Sequence, residues 1–410
     1  MIIGVVGKPS VGKSTFFKAC TLSEVEIASY PFTTIKPNRG AGYVRVKCAD
    51  RDFGKQCNPS SGFCINGTRF VAVELVDVAG LVPGAHEGKG MGNQFLSDLN
   101  QADLLIHIVD ASGTANEKGE VSENYDPCFD VEFLEKEIDL WYLDVIRRGW
   151  DKITRLARQK GAAGNEMSAQ ISKALAEQLS SFKVTNAIAK NSITASGLKE
   201  EDFERWPEES LRQLAAELRK RTKPIIIAAN KMDLPKSKVN IERLKNKFPD
   251  YKIVPCSGDA EVALRMAAKA KLIKYLPGDP DFEIIAVGND ASARPLSEAQ
   301  ATALEKIRFF LKEFGSTGVQ HVLDTAVFDF LQYIAIFPGS SKGLTDSKGN
   351  VMPDCFLMPP DSTALDFAFR LHTDFGKTFL YAIDVRKNQR IGKEHKLKHR
   401  DVIEIISAAK

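Results

Sequence analysis

The sequence predicts an α/β protein whose amino-terminal part is an open sheet of buried parallel strands. Three observations support this fold class. Short, almost wholly apolar runs alternate with helical stretches, a pattern typical of strands that are covered on both faces of a sheet. A glycine-rich stretch directly follows the first of these runs. Helical stripes of apolar residues fill the interval of over a hundred residues between the third run and the fourth.

The strands that we predict for this sheet are, in chain order, Ile2–Val6, Phe70–Val76, Leu104–Val109, Ile225–Ala229 and Lys252–Pro255. At 410 residues the chain is too long for a single core, so we expect roughly two to four domains. We divide the chain into the sheet domain (1–128 and 222–282), a helical insertion (129–221), a helical connector (283–330) and a carboxy-terminal module (331–410).

The insertion is predicted to be a helical hairpin, because two apolar stripes have the three- and four-residue spacing of a helix face. The stripes consist of Leu134, Ile138, Trp141 and Val145, and of Ile171, Leu175, Leu179 and Phe182. The glycine-containing segment 161–165 separates them, which favours two antiparallel helices. A cofactor pocket around Trp141 and Trp150 is an alternative, but packing between helices explains these residues better.

The carboxy-terminal module is predicted to be a small α+β unit, set off by the turn 337–339. Its strand-like runs are Ile334–Phe337, Val351–Met358, Thr378–Val385 and Val402–Ile406. A helix is expected at Ala364–His372, and an amphipathic helix at about Glu298–Phe314 precedes the module.

Composition and charge describe a soluble globular protein. Hydrophobic residues make up 43% of the chain and charged residues 27%, with a net charge of +3. No apolar run approaches the ~18 residues that a membrane span needs, and the first residues lack the basic stretch and cleavage site of a secretion signal. Seven cysteines scattered over a long chain do not indicate a disulfide framework. We therefore expect a cytoplasmic protein without a membrane partner.

A phosphate-binding loop is predicted directly after the first strand. The chain matches the motif G-x-x-x-x-G-K-[ST] with Gly7, Lys8, Pro9, Ser10, Val11, Gly12, Lys13 and Ser14, and Thr15 follows as a further candidate contact. Backbone N–H groups of such a loop point at the phosphates of a nucleotide. We predict that Lys13 reaches the β- and γ-phosphates and that the Ser14 hydroxyl binds Mg²⁺.

The second predicted strand ends in D-x-x-G, formed by Asp77 and Gly80. We expect Asp77 to hold Mg²⁺ through water and the Gly80 N–H to sense the γ-phosphate. An aspartate at a strand end is common, so this motif supports a nucleotide site only because it follows a phosphate loop.

A base-reading segment, N-K-x-D, follows the strand Ile225–Ala229 with Asn230, Lys231, Met232 and Asp233. The Asp233 carboxylate can accept hydrogen bonds from N1–H and the 2-amino group of guanine, and adenine offers neither donor. Asn230 is expected to bond the base edge or brace the phosphate loop, and the stem of Lys231 to lie along the base. After the next strand come Ser257 and Gly258, whose backbone is expected to reach the guanine 6-oxo group.

Two longer signatures identify a family. The segment 30–40 reads Y-P-F-T-T-I-x-P-N-x-G, and residues 77–85 read D-V-A-G-L-V-P-G-A. With the nucleotide-binding motifs in the right order, these signatures resemble the Obg superfamily of GTPases, most closely its YchF-like branch in an archaeal-type form. The resemblance covers nearly the whole chain.

The resemblance implies a P-loop NTPase G domain with an inserted helical domain and a carboxy-terminal TGS domain of β-grasp fold, resembled here by 358–366, 371–374 and 401–403. It implies that Thr34 is the switch threonine, which completes Mg²⁺ coordination only with a γ-phosphate. It also implies association with the ribosome or tRNA through the TGS domain and the basic segment 386–400.

Two departures from the family pattern bear on the ligand. Many YchF-like proteins carry N-x-x-E and prefer ATP, whereas this chain keeps Lys231 and Asp233, so we expect GTP and GDP as ligands with Mg²⁺ as cofactor. Relatives that are activated by K⁺ usually have Asn where this loop has Ser10, so potassium activation is not predicted.

Slow intrinsic hydrolysis is expected. Many GTPases carry a glutamine after D-x-x-G that orients the attacking water, and this chain has Leu81, which cannot form that hydrogen bond. His86 and Glu87 are candidates for placing the water, and each has the alternative of being a solvated loop residue. A partner or a conformational change is a further way to complete the site.

Charge is concentrated near the carboxy terminus. Between Arg386 and Arg400 seven basic residues face one acid, Glu394, which gives +6 and leaves −3 for the rest of the chain. RNA phosphates or a merely solvated hairpin face both explain this segment. The family resemblance favours RNA, bound electrostatically and therefore in a salt-sensitive way.

Three cysteines, Cys48, Cys57 and Cys64, lie in a loop-rich stretch. Their spacings of nine and seven do not match a zinc knuckle, so ordinary reduced cysteines are favoured and a metal site is the alternative.

Three functional hypotheses follow. The first is a GTP-hydrolysing switch that acts with a ribosomal or tRNA partner. The second is an ATP-hydrolysing protein, against which Asp233 argues. The third is a nucleotide-gated scaffold whose helical insertion binds protein partners.

Overall fold

The computed structural model describes residues 1–22, 38–78, 98–158, 165–199, 203, 205–285, 296–340, 343–346, 349–352 and 354–408. These residues form two compact units. The first unit consists of Met1–Ser14 and Leu75–Cys256, and the second of Thr15–Glu74 and Ser257–Lys410.

Parallel strands form the centre of the first unit. They are β1 (Ile2–Val6), β5 (Leu104–Asp110), β6 (Ile225–Asn230) and β7 (Lys252–Pro255), paired in that order. The end of β4 (Thr68–Asp77) also belongs here, because the Val78 N–H donates to the Val5 carbonyl at 3.0 Å. Every residue of β5 and β6 is buried, as their apolar sequences predict.

Helices fill the long interval between β5 and β6. They are α2 (Cys128–Arg158), α3 (Asn165–Gln178), α4 (Asn186–Ala195) and α5 (Glu208–Thr222). The hairpin that we predicted corresponds to α2 and α3, which pack against each other. The two additional helices were not resolved by the sequence pattern. Of the predicted break 161–165, residues 161–164 lie outside the described residues. Helix α6 (Ser237–Lys247) then connects β6 to β7.

The apolar stripes of the insertion face its core, with seven of their eight residues buried and Val145 half-buried. Residues of both stripes share one core with Val6, Leu105 and Ile225 of the sheet. The Trp141 ring lies 4.5 Å from the Phe182 ring between centroids, and Trp150 lies 5.9 Å from Trp206. The tryptophans therefore pack in the core of the insertion.

The second unit begins with most of α1 (Lys13–Thr21), followed by β2 (Arg39–Lys47), β3 (Phe63–Ile65) and the larger part of β4. Strand β3 pairs antiparallel with β4. The chain re-enters this unit at α7 (Gly258–Lys269), β8 (Ile273–Lys274), β9 (Glu283–Ile284), α8 (Glu298–Phe314) and α9 (Val319–Asp324). Helix α8 has the predicted bounds and starts with a capping box of Ser297 and Gln300.

The carboxy-terminal module of this unit is a five-stranded sheet in the order β11-β10-β14-β12-β13. Its elements are β10 (Ile334–Pro338), β11 (Phe356–Met358), α10 (Ala364–Leu371), α11 (Thr373–Lys377), β12 (Phe379–Asp384), β13 (Gln389–Ile391) and β14 (Val402–Ser407). Phe367 of α10 packs on Ile336, Ala382 and Ile403, which places one helix over the sheet.

The strand predicted at Val351–Met358 is shorter in the structure than expected. The run Val351–Met358 was expected to be continuous, but only Phe356–Met358 is a strand, and Val351 forms a single bridge with Thr345. Met352 has φ +42°, which interrupts an extended backbone.

No helix within the described ranges is long and apolar enough to cross a membrane.

Candidate nucleotide-binding site

The site is built where parallel strands end. Gly7 follows β1, Asp110 ends β5, Asn230 ends β6 and Cys256 follows β7. Because β1, β5, β6 and β7 are parallel neighbours, their carboxyl ends meet at one edge of the sheet, which is where ligands bind in open α/β folds.

The phosphate-binding loop has a backbone that requires glycine at two positions. Gly12 has φ +87°, and a Cβ placed on it would lie 2.4 Å from Nδ2 of Asn230. A Cβ on Gly7 would lie 2.7 Å from the Ile108 carbonyl oxygen. Ser10 also has a positive φ, of +65°. Helix α1 starts at Lys13, so its first N–H groups and the positive end of its dipole lie at the loop.

Lys13 and Asp77, predicted for the phosphates and Mg²⁺, are brought together. The Lys13 ammonium forms an ion pair with Asp77 Oδ1 and donates to the Val78 carbonyl at 3.0 Å. The Ser14 side chain is exposed at the start of α1. A carboxylate and a hydroxyl are donors that Mg²⁺ prefers, and the ammonium supplies positive charge for phosphates, so the residues present fit a magnesium nucleotide.

Asn230 braces the loop, as one of its two predicted roles requires. Its Nδ2 donates to the Val11 carbonyl at 2.9 Å, and the side chain is buried. The thiol of Cys256 lies 3.8 Å from Oδ1 of the same amide. The base-reading segment is thereby tied to the phosphate loop through the Asn230 side chain.

Lys231 is fixed by an aspartate that the sequence analysis did not single out. Its ammonium lies 2.9 Å from Asp110 Oδ2, and its own φ is +61°. Burial opposes ionisation of Asp110, but hydrogen bonds from Ser112 and Lys231 outweigh it and lower the pKa of this carboxyl. The Asp110 carboxylate therefore holds the Lys231 side chain, whose stem is predicted to lie along the base.

Asp233 presents its carboxylate to solvent. The preceding residue, Met232, is buried, and its N–H donates to the Cys256 carbonyl at 3.1 Å, which anchors the turn. The Asp233 side chain is exposed and forms no hydrogen bond or ion pair with the residues that the structure describes. An anchored backbone with an unengaged carboxylate is the arrangement that base recognition needs.

The remaining predicted contacts Thr15, Ser257 and Gly258 belong to the second unit. Ser257 is the N-cap of α7 and accepts a hydrogen bond from the Ala260 N–H at 3.3 Å. Gly258 is buried at the start of α7, where a Cβ would lie 3.3 Å from the backbone nitrogen of Phe16.

Lys8 supports the loop from inside the first unit. Its ammonium lies 2.9 Å from Asp130 Oδ1 and 2.9 Å from the Ala115 carbonyl, and 3.7 Å from the centroid of the Tyr125 ring. Burial lowers the pKa of Lys8, and the Asp130 carboxylate opposes that shift. Lys8, predicted as a nucleotide contact, thus has a bracing role in this structure.

Four predicted catalytic or switch residues, Thr34, Gly80, Leu81 and His86, lie outside the described residues, as does Glu87. Sequence reasoning also missed Asp110 and Asp130. The signal for Asp110 was an acid directly at the end of an apolar strand. Asp130 had no distinguishing signal, because its partner Lys8 is far away in the chain.

Three family models match this chain. A model described as "Obg-like GTPase YGR210-like, G4 motif-containing domain" matches residues 228–340, one described as "50S ribosome-binding GTPase" matches 2–134, and the TGS domain matches 345–407.

The chain is 47% identical over 410 residues to an uncharacterized GTP-binding protein of Methanocaldococcus jannaschii, with full coverage of both chains. It is 27% identical over 385 residues to the ribosome-binding ATPase YchF of Bacillus subtilis, covering 92% of this chain and 87% of that one. The crystal structure of a GTP-binding protein from Pyrococcus horikoshii is similar over the whole of both chains, with 36% identity and a TM-score of 0.76. The Schizosaccharomyces pombe YchF GTPase shares the fold, at 20% identity and a TM-score of 0.58, covering 99% of this chain and 97% of that one.

Proposed function

Because this chain belongs to the YchF-like branch of the Obg GTPase superfamily, we propose that it binds GTP with Mg²⁺ and hydrolyses it slowly to GDP and phosphate, as a switch that acts on the ribosome. The observation that carries this proposal is the base-reading segment. Asn230 is locked to the phosphate loop, and Asp233 is left exposed three residues further on.

The preference for guanine follows from hydrogen-bond chemistry. A carboxylate accepts two hydrogen bonds from the N1–H and 2-amino groups of guanine, whereas adenine presents an acceptor at N1 and no 2-amino group. A site built for these donors rejects a base that lacks them by a large factor. Relatives named ATPases, such as the one from Bacillus subtilis, make ATP the competing substrate.

The phosphate end is served by charge and backbone donors. Lys13 and the N–H groups at the start of α1 would hold the phosphates, and the Ser14 hydroxyl with the Asp77 carboxylate would hold Mg²⁺. When bound, Mg²⁺ supplies neutralisation of the charge on the β- and γ-phosphates. Lys13 and Asp77 form an ion pair, so the group that would contact the phosphates and the group that would hold Mg²⁺ lie side by side.

GTP hydrolysis would depend on residues of the two predicted switch segments. Thr34 would act as the switch threonine and the Gly80 N–H as the γ-phosphate sensor, with His86 as a candidate for placing water. Leu81 cannot orient water through a hydrogen bond, so we expect intrinsic turnover to be slow. Leu81→Gln should raise turnover and leave nucleotide affinity nearly unchanged.

Affinity titration with both nucleotides tests the substrate. Calorimetry of the full chain with GTP and with ATP in excess Mg²⁺ should show GTP bound at least ~100-fold more tightly. Equal affinities, or tighter ATP binding, would overturn the assignment of GTP and favour the ATP-hydrolysing alternative.

The ribosome as partner is supported by three features: relatives named for ribosome binding, the TGS domain, and the basic segment 386–400. The test is hydrolysis of GTP with and without purified ribosomal subunits, together with co-sedimentation at several salt concentrations. Stimulated hydrolysis supports a ribosomal switch. Hydrolysis that does not respond to ribosomes or tRNA would favour the nucleotide-gated scaffold, with the helical insertion as its protein-binding part.

A further inference from the structure

Three cysteines and an aspartate converge in the excursion of the chain between β2 and β4. Cys48, Asp50, Cys57 and Cys64 each offer a ligand atom, and these atoms all lie within 4.8 Å of one another. Three of these residues are buried, and Cys64 is half-buried. All four belong to the second unit and are separate from the phosphate-binding loop in sequence.

The distances suit a single tetrahedral metal ion. The Sγ atoms of Cys48 and Cys57 are 3.6 Å apart, which is too long for a disulfide of about 2.05 Å. Sulfur atoms at about 2.3 Å from one tetrahedral zinc ion are separated by about 3.8 Å. The Sγ of Cys64 lies 3.9 Å from Asp50 Oδ2, which places this third thiol beside the carboxylate group.

Asp50 supplies an independent indication of a ligand at this cluster. Its side chain is fully buried, and Oδ2 accepts a hydrogen bond from the Cys57 N–H at 3.1 Å. Oδ1 is buried and has no hydrogen-bond partner among the described residues. A buried carboxylate oxygen without a partner is costly. A metal bond to Oδ1 would satisfy it, and the Cys57 N–H would orient the carboxylate as outer-shell donors do at metal sites.

A buried arginine adds positive charge beside the cluster. Arg69 is fully buried, and its Nη1 lies 3.5 Å from Cys57 Sγ and 3.1 Å from the Met352 carbonyl. Three thiolates and one carboxylate with a divalent ion carry a net charge of −2. A guanidinium that donates to a thiolate reduces this charge and is itself compensated.

We propose that Cys48, Asp50, Cys57 and Cys64 bind one Zn²⁺ ion in a structural site. Four protein ligands close the coordination sphere, which is typical of structural rather than catalytic zinc. The segment that the site would order has no apolar core of its own, because residues 54–62 contain no large apolar side chain. Short segments of this kind are commonly stabilised by metal binding that is coupled to folding.

The ordered loop also holds the carboxy-terminal part of the same unit. Asn58 Nδ2 donates to Asn350 at 2.8 Å, and the Ser60 hydroxyl donates to Asp354 at 2.6 Å. Asp52 forms an ion pair with Arg400 at 2.8 Å. The proposed zinc ion would therefore fix the surface on which residues of the basic segment rest.

Metal analysis of the full chain, purified under reducing conditions without an affinity tag or chelator, is the first test. Elemental analysis should find about one tightly bound zinc ion per chain. After zinc removal, Co²⁺ should give the thiolate-to-metal absorption of a tetrahedral site. No bound metal with no Co²⁺ spectrum, iron in place of zinc, or a Cys48–Cys57 disulfide in the isolated protein would each overturn the proposal.

Variants locate the site. Cys57→Ser and Asp50→Asn should each weaken zinc binding by at least roughly 10-fold, and Cys128→Ser, which alters a buried cysteine outside the cluster, should not.

Trypsin digestion of the wild-type chain is a second test, and it does not depend on whether a variant folds. Removal of zinc should expose Arg51 and Lys55 to cleavage, and added Zn²⁺ should restore protection. Zinc loss from the Cys128→Ser variant, or cleavage that is indifferent to Zn²⁺, would contradict this site.

Discussion

Gly12 is the residue at which the phosphate loop and the base-reading segment meet. Its φ of +87° is in the left-handed region, and a Cβ would lie 2.4 Å from Asn230 Nδ2. The backbone and the neighbouring amide both require a residue without a side chain, because Asn230 must stay in place to donate to the Val11 carbonyl.

Gly12→Ala should therefore weaken nucleotide binding by at least ~10-fold and destabilise the protein by about 1–2 kcal/mol through its backbone conformation. Nucleotide titration and urea denaturation measure the two effects.

Gly197→Ala is the matched control. Gly197 has φ +64°, but no atom of the described residues beyond its chain neighbours lies within 4 Å of the added Cβ. This variant should show a similar backbone cost and unchanged nucleotide affinity. An equal loss of affinity in both variants would mean that the Asn230 contact is not the cause.

Motif spacing gives candidate site residues when the motif is local in sequence, as for the phosphate loop, Asp77, Asn230 and Asp233. The roles of these residues toward nucleotide and Mg²⁺ stay predictions. The partners Asp110 and Asp130 were not, because each meets its lysine only after the sheet has formed.

Helix α9 packs on β2 through a carboxyl group. Asp324 Oδ1 accepts hydrogen bonds from the Arg45 N–H at 2.8 Å and from Gln320 Nε2 at 2.9 Å. Burial raises the pKa of Asp324 to about 7, although these hydrogen bonds favour the ionised form. Between the unfolded pKa near 3.8 and the folded pKa, the folded protein binds more protons than the unfolded chain, so stability falls as pH rises through this window.

Asp324→Asn should remove this pH dependence. At pH 8 the variant is expected to be more stable than the wild type by about 1–2 kcal/mol, and at pH 4 the difference should nearly vanish. Urea denaturation between these pH values measures it. Glu305→Gln, which neutralises an exposed acid on α8, should leave the wild-type pH slope unchanged. A parallel slope for wild type and Asp324→Asn would contradict the assignment.

The bounds of strands and helices could be predicted where the apolar pattern was long or consisted almost wholly of apolar residues. The buried strands β1, β5, β6 and β7 and the helix α8 have bounds within one residue of the prediction. Short elements with mixed exposure, such as β13 with two exposed residues of three, give no such pattern.

At the scale of the whole molecule, the basic segment 386–400 has fewer unpaired positive charges than its sequence indicates. Arg386 and Arg400 pair with Asp52, Lys387 pairs with Asp384, and Lys396 pairs with Asp361. Lys393 and Lys398 are exposed and have no side-chain partner in the described part of the chain.

The double variant Lys393→Ala with Lys398→Ala should weaken binding to ribosomal RNA. The negative slope of log affinity against log salt should become shallower by about 1.4, which corresponds to the loss of two phosphate contacts. Filter binding at several salt concentrations measures this.

Lys173→Ala with Lys190→Ala removes the same charge from exposed positions of the helical insertion. It should leave the slope nearly unchanged. Equal losses in the two double variants would show that net charge, and not this segment, governs RNA binding.

At the scale of the whole chain, a GTPase domain followed by a TGS domain could be predicted from motifs and the family resemblance. The convergence of Cys48, Asp50, Cys57 and Cys64 could not, because spacings of nine and seven match no familiar metal motif. Only the fold of the loop between β2 and β4 brings these residues together.

Asp233 is the residue that would recognise the guanine base. Asparagine at this position presents one acceptor and one donor, which match the N1–H and 2-oxo groups of xanthine instead of the two donors of guanine. Asp250→Asn, an exposed aspartate before β7, is the matched control.

The most direct measurement is calorimetric titration of Asp233→Asn with GTP and with xanthosine triphosphate, in Mg²⁺. GTP affinity should fall at least ~100-fold and the xanthine nucleotide should become the tighter ligand, while Asp250→Asn should bind both as the wild type does. GTP affinity that is unchanged in Asp233→Asn would contradict base recognition by this carboxylate.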